Sequence, residues 1–307
     1  MRSVYLSIMT EFNKSLFWGL FFASMASGLG GVGLAVTRLA LPQTDPFSLS
    51  FLRWFIMLLG LVAFSARALL TTRFARKDFL KVSLLGIAYF SGFPICLTFG
   101  LEFTTSGRAG IVFATMPVWT IIIASFFQIE KLNATKFIAI LLAFGGVVLS
   151  LSSNLSDNNG QILTGDIVII IGVISASIFT VFAKGLIKNY GSQPVMVYAL
   201  LSGVVFMFLI ALLFGSPFAG SLDFNINGWF YVFILGIPSG ALMIYFWGLA
   251  LRMISPTQAA ICSGFNPLTA ILAGAILLGE EITSLFLIGF LCVISAVIFL
   301  QIANKNE

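Results

Sequence analysis

The chain has 307 residues, of which 59% are hydrophobic and only 9% charged, with a net charge of +5. A soluble domain is about a quarter charged, so this chain has too little polar surface to cover itself in water and reads as an integral membrane protein. The positive balance is a topology signal rather than a nucleic-acid footprint. Histidine is absent, and Cys96, Cys262 and Cys292 sit in apolar runs without metal-ligand or redox spacing, so no metal and no cofactor is expected.

An apolar run of about 20 residues spans a bilayer core as a helix. In chain order ten such runs are predicted: Ser15–Leu39, Pro46–Ala68, Phe79–Glu102, Thr105–Phe127, Ala134–Leu151, Gly165–Ile187, Pro194–Phe214, Gly228–Leu251, Pro256–Leu278 and Ser284–Ala303. No small-residue cleavage pattern follows the first, so it is expected to stay as a span rather than leave as a signal peptide. Most joints are short, which makes consecutive helices antiparallel. The polar stretch from Asn154 to Gly160 divides the chain into halves at 1–153 and 154–307.

The first run carries small residues at fourfold spacing, Ala23, Ser27, Gly31 and Ala35, with Ser24 and Gly28 beside them. Such rows let helices approach closely in lipid. The glycine cluster from Gly28 to Gly33 follows no strand and has no Gly-Lys-Ser/Thr ending, so it is not a phosphate loop.

Arg53 lies about seven residues, or ~10 Å, into the second run. An ionisable group inside a span is a functional-site hypothesis by default. Two readings stand open: Arg53 holds an anionic group of a substrate, or it clamps backbone carbonyls and Glu102. Arg108, near the start of the fourth run, has the further option of snorkelling to the headgroups.

The third and eighth runs are interrupted, by Tyr89-Phe90-Ser91-Gly92-Phe93-Pro94 and by Pro238-Ser239-Gly240. Broken stretches in corresponding helices point to a substrate path. Gly92, Pro94, Pro238 and Gly240 are read either as gates that bend or as packing kinks. Tyr89, Ser91, Tyr245 and Trp247 are candidate lining. In the fourth and ninth runs, Pro117 and Pro267 each remove a backbone donor and free a carbonyl near Phe113 and Ser263. One reading is a structural kink. The other is a cavity lined by Ala114, Met116, Pro117 and Trp119 facing Gly264, Asn266, Pro267 and Thr269. Glu130 and Glu280, just before the next helices, read as caps.

The runs repeat. Leu85 to Leu141 reappears 150 residues later as Leu235 to Leu291 without a gap: Leu101, Ala109, Ile111, Pro117, Ile121 and Glu130 become Leu251, Ala259, Ile261, Pro267, Ile271 and Glu280. With the N-terminus placed in the cytoplasm, thirteen of the sixteen Lys and Arg fall on the cytoplasmic side, which sets both termini there. Five spans per half is an odd number, so the second copy enters the membrane from the opposite side. The expected architecture is an all-α membrane protein of ten helices in two inverted five-helix repeats, the plan of many secondary transporters.

All eleven acidic residues fall at span ends, in loops or in tails, so a central proton relay or an organic-cation site is hard to build. A neutral, zwitterionic or weakly anionic small molecule fits better. No HExxH, GxSxG or intramembrane carboxylate pair supports an enzyme.

"TSGRAGIVFATMPVWT", "SPTQAAICSGFNPLTA", the following "IEK" and "GEE", and "SFLRWF" around Arg53 resemble the EamA family of the drug/metabolite transporter superfamily over nearly the whole chain. The resemblance implies an inner-membrane carrier, typically an exporter of amino acids, related metabolites or drugs, with a central cavity and with the fifth and tenth spans at the periphery. The expected function is therefore export of a small metabolite such as an amino acid by alternating access. An importer, an uncoupled facilitator or a non-transporting scaffold are the rivals. Proposed contacts are Asn266 and Trp119 with cargo and Arg53 with a carboxylate, while the oligomeric state is not readable.

Overall fold

The computed structural model describes residues 2–113, 115–129, 133–151 and 159–279, with short pieces at 284–285, 287–289, 291–292 and 295. Ala114, Glu130, Glu280, Glu281, most of the Asn154 to Gly160 joint and most of the tenth run lie outside the described residues. Everything described is helix, turn or irregular chain.

The first two helices are α1 (Arg2–Ala40) and α2 (Pro46–Thr71), joined by a short 3₁₀ turn at Leu41–Gln43. The third run is α3 (Arg76–Ile87), a π-helical bulge at Ala88–Gly92, and α4 (Phe93–Phe103). The fourth is two short helices, α5 (Ser106–Phe113) and α6 (Met116–Phe126), followed by α7 (Ala134–Leu151). The second half repeats this order: α8 (Asn159–Tyr190), α9 (Ser192–Phe214), α10 (Ile226–Gly236), a bulge at Ile237–Leu242, α11 (Met243–Met253), α12 (Pro256–Cys262) and α13 (Phe265–Leu278).

Among the described residues, six helices are long and apolar enough to cross a membrane: Ser15–Gln43, Pro46–Leu69, Arg76–Phe103, Leu163–Tyr190, Ser192–Phe214 and Ile226–Met253. Phe137–Gly146 and Phe265–Leu278 are shorter apolar helices. Large side chains such as Phe126, Leu213 and Ile276 stand 74–80% exposed on the outer wall. Water would penalise so much bare hydrocarbon, whereas lipid does not. The protein is a multi-pass membrane protein.

The 150-residue repeat is visible in the backbone. The bulge at Ala88–Gly92 sits at the register of the one at Ile237–Leu242. The breaks before α6 and α13 fall within one residue of that register, at Thr115 and Gly264, both with turn-like backbone. The prolines that cause the bulges are not aligned. Pro94 follows its bulge at the second position of α4, and Pro238 lies inside its own. Each removes an N–H and strands a carbonyl one turn earlier, and the ladder widens by a residue to recover.

The halves interleave. α1 leans on α10, α11 and α13 of the second half, and α8 leans on α3, α4 and α6 of the first. Other pairs that cross between the halves include α2 with α9, α3 with α9 and α5 with α13. Glycines set these distances. A Cβ at Gly110 would lie 2.9 Å from the Pro267 Cα, and one at Gly165 would lie 2.8 Å from the Gly100 carbonyl. In lipid, packing of this kind replaces the hydrophobic drive. The start of α3, with Arg76, Lys77 and Lys81, meets the end of α8, with Lys184 and Lys188, at what is here termed the basic face.

Candidate functional site

Between the two breaks and the two bulged helices lies a small chamber of about 30 Å³. α1 contributes Ala26 and Ser27, the first bulge Tyr89, and the α5–α6 break Phe113 and Met116. α11 contributes Met243, Ile244 and Trp247, and α13 contributes Asn266. Both repeats therefore supply the same elements, a bulged helix and a broken one, and α1 closes the side. That volume suffices for a water or two and not for a metabolite.

The wall is apolar apart from the polar groups of Ser27, Tyr89, Trp247 and Asn266, all more than nine-tenths buried. Asn266 donates from Nδ2 to the Ser27 carbonyl at 3.3 Å. Its Oδ1, the Ser27 hydroxyl and the Trp247 indole N–H have no hydrogen-bond partner among the described residues. A buried polar atom left unpaired costs about 1–3 kcal/mol, so three on one small chamber form an unsatisfied set. They comprise an acceptor, a donor and a hydroxyl that can do either.

A second unsatisfied cluster adjoins it. Arg53 of α2 is 5% exposed and donates from Nη1 to the Thr37 hydroxyl at 3.1 Å. Thr37 in turn donates to the Gly33 carbonyl at 2.6 Å. The guanidinium carbon stands 5.7 Å from the Trp54 ring centroid, within cation–π range. Trp54 meets Tyr89 of the chamber wall edge-on at 6.5 Å. Arg53 Nε, Trp54 Nε1 and the Ser239 hydroxyl of the second bulge are unpaired among the described residues. α1 comes this close because residue 33 is glycine: a Cβ there would lie 3.2 Å from both Arg53 Nη2 and Ser239 Cβ. No ion pair joins Arg53 to Glu102 among the described residues. Arg108 is paired, with Asp166 at 2.5 Å, and Thr104 donates to the same carboxylate at 3.1 Å. That pair ties α5 to the start of α8 and leaves Arg108 neither snorkelling nor facing the chamber.

Of the residues singled out in the sequence for cargo contact, Tyr89, Trp247 and Asn266 share the chamber wall, and Arg53 stands behind Tyr89 and Trp54. Ser91 spends its hydroxyl on the Gly203 carbonyl of α9, at 2.6 Å. The Tyr245 hydroxyl accepts from Gln193 at 3.4 Å, and its ring packs near Phe64, away from the chamber. Trp119 is half-buried against the core without reaching the wall. Pro117 and Pro267 act through the backbone at the two breaks. Gly92 ends the first bulge, and Pro94 follows it. Pro238 and Gly240 lie in the second, where a Cβ on Gly240 would meet the Leu235 carbonyl at 2.6 Å. Ser27 and Met243 are wall residues that sequence reasoning missed. The small-residue row containing Ser27 carried the only available signal.

Among the described residues no group of three or more potential metal ligands gathers, and the polar set on the chamber wall is neutral. The model of the EamA-like transporter family matches the chain twice, over residues 17–152 and 163–302. The uncharacterized transporter YetK of Bacillus subtilis (strain 168) is 28% identical over 299 residues, covering 93% of this chain and 88% of that protein. An uncharacterized transporter of Archaeoglobus fulgidus is 26% identical over 270 residues, covering 87% and 88%. A solved crystal structure superposes with a TM-score of 0.75 at 16% identity, covering 96% of this chain and 98% of that one, which shows the shared fold. With two copies of the family's repeat, and with bulged and broken helices facing a small central chamber, the chain belongs to the EamA-like transporter family of the drug/metabolite transporter superfamily, whose members are transporters and not enzymes.

Proposed function

We propose that this transporter exports a small zwitterionic metabolite, an amino acid or derivative, by alternating access. The carrying observation is the unpaired set on the chamber wall. An ammonium group donates to Asn266 Oδ1, and a carboxylate accepts from the Trp247 N–H and the Ser27 hydroxyl. Arg53, held behind Tyr89 without a carboxylate partner, biases the site toward the anionic end of the cargo. The present volume fits no such molecule, so loading requires the wall to part. The paired bulges, where the helical ladder is already interrupted, are the hinges that allow it.

In this reading the chain has ten spans in two inverted repeats, 1–153 and 154–307, lies in the plasma (inner) membrane, and keeps the basic face and both termini in the cytoplasm. The charge asymmetry of the loops supports that orientation. The second reading is an uncoupled facilitator, favoured by the lack of any acidic residue on the chamber wall.

Purified protein in liposomes loaded with unlabelled amino acid should take up the labelled compound by counterflow that saturates. Linear flux that does not saturate supports the facilitator. No flux of any zwitterion, with flux of a sugar or a cationic dye, refutes the cargo class.

A further inference from the structure

We infer that the groove between α3 and α8 at the basic face is a binding site for an anionic phospholipid. It is far larger than the chamber, about 740 Å³, and is lined on α3 by Asp78, Lys81, Leu84 and Leu85. On α8 the matching series is Phe182, Gly185, Leu186, Lys188 and Asn189. The two helices deliver the same gradient in opposite chain directions. Charged and amide groups stand at the face, and bare hydrocarbon lies one to two turns deeper. Seven residues of helix span about 10 Å, the depth of a headgroup and the first methylenes of an acyl chain.

The groove exists because the helices diverge. Deeper in the membrane α8 touches its neighbour: a Cβ at Gly172 would lie 3.0 Å from Cys96 Cβ, and one at Gly92 would lie 3.6 Å from Ser175 Oγ. At Gly185 nothing stands within 4 Å. The inverted repeat shows that the fold does not require this gap. The corresponding contact of α1 with α10, at the opposite face, is filled by Val36, Ala40, Phe224, Val232 and Leu235.

The charge fits a phosphate. Asp78 is neutralised locally, accepting from the Tyr190 hydroxyl at 2.7 Å and pairing with Lys81 at 3.6 Å. Lys188 makes no hydrogen bond or ion pair among the described residues, and Arg76 and Lys77 flank the mouth. Basic pockets between helices at a membrane face are suited to anionic headgroups.

Native mass spectrometry of the full-length protein with added phosphatidylglycerol or phosphatidylcholine tests this. One phosphatidylglycerol should be retained under activation that strips phosphatidylcholine. Lys188→Glu should lower its retention about fivefold. Gly185→Trp, which fills open space rather than packed core, should abolish it while thermal stability in detergent stays at the wild-type value. Equal retention of the two lipids, unchanged retention in Gly185→Trp, or full displacement by glycerol phosphate lacking acyl chains would each overturn the proposal.

Discussion

Arg53 and Ala199 each turn a backbone carbonyl toward a glycine of the helix that crosses theirs. The Arg53 carbonyl lies 3.6 Å from where a Cβ on Gly236 would stand, and the Ala199 carbonyl lies against Gly86, the matching glycine 150 residues earlier. The crossing recurs in both repeats, and the guanidinium stands at only one of the two. A charge kept on one side only, with no carboxylate partner among the described residues, serves cargo rather than architecture in the proposed function. Arg53→Ala removes that asymmetry. It should weaken binding of an amino acid about tenfold or more, the cost of losing a charge-assisted contact in a buried site, and leave the decarboxylated amine unaffected. Ligand-induced shifts in thermal unfolding measure both. Equal losses for acid and amine would remove the steering role.

The same comparison applies to Asn266. Its counterpart 150 residues earlier is Met116, and both line the chamber. Asn266→Met should therefore be tolerated sterically. It deletes an unpaired buried Oδ1 but also the Nδ2 bond to the Ser27 carbonyl, so the two effects offset and stability should change by less than about 1 kcal/mol. Binding of an ammonium-bearing cargo should fall roughly tenfold to a hundredfold, the range for one hydrogen bond to a charged group. A structural asparagine would give the reverse pattern, lost stability with unchanged affinity. Calorimetry on the purified variant, paired with its unfolding curve, separates the two.

The small-residue row of α1 can be tested one rung at a time. A Cβ on Gly31 would collide with the Thr269 hydroxyl and with the backbone at Asn266 and Ala270. A Cβ on Gly28 would meet only the Thr269 methyl, at an ordinary 3.5 Å. Gly31→Ala should destabilise by about 1–3 kcal/mol, the usual cost of overpacking. Gly28→Ala should be neutral or stabilising by up to about 1 kcal/mol, since glycine is the poorer helix former. Thermal unfolding in one detergent gives both numbers. Similar losses at the two sites would mean that α1 and α13 are not in the contact described.

How much of this was legible in the sequence depended on whether the cause was local. The breaks at Thr115 and Gly264 follow from Pro117 and Pro267, and the repeat placed them within one residue of register. The bulges were half legible. Pro94 and Pro238 do not align, yet the interruptions they produce do, because a proline acts on the carbonyl one turn before it and the ladder can absorb the defect on either side. Arg53 stood out as a charge in a span, but its neighbours Thr37 and Ser239 come from helices whose rotation the sequence does not fix. Arg108 looked like an intramembrane charge until the fold brought Asp166 to it from 58 positions along the chain. Ser27 was hidden for a related reason. It belongs to a row that reads as packing, and only the docking of α1 on α13 decides which rung faces the chamber. The tenth run lies largely outside the described residues, so its place in the count rests on the repeat.

Asp45 offers a pH readout away from the chamber. It caps α2 by accepting from the Phe47 and Ser48 amides at 3.0 and 2.8 Å, and it accepts from the Ser216 amide at 3.1 Å. One carboxylate thus starts a helix of the first repeat and pins the α9–α10 joint of the second. Burial pushes its pKa up, but the hydrogen bonds from Ser48 and Ser216 outweigh that and hold it below the ordinary 3.8. A folded-state value below the unfolded one means the carboxylate stabilises the fold fully above 3.8 and loses that contribution as pH falls through the lowered value. Asp45→Ala should cost about 1 kcal/mol at neutral pH, the typical worth of an N-cap. Asp45→Asn keeps a capping oxygen and should lose only a few tenths of that. The gap in melting temperature between wild type and Asp45→Asn should therefore be small and constant from neutral to mildly acidic pH, then close or reverse below 3.8, where the wild-type carboxylate protonates. A gap that widened on acidification would show that this carboxylate is destabilised by the fold and that the cap is not what holds the two joints together.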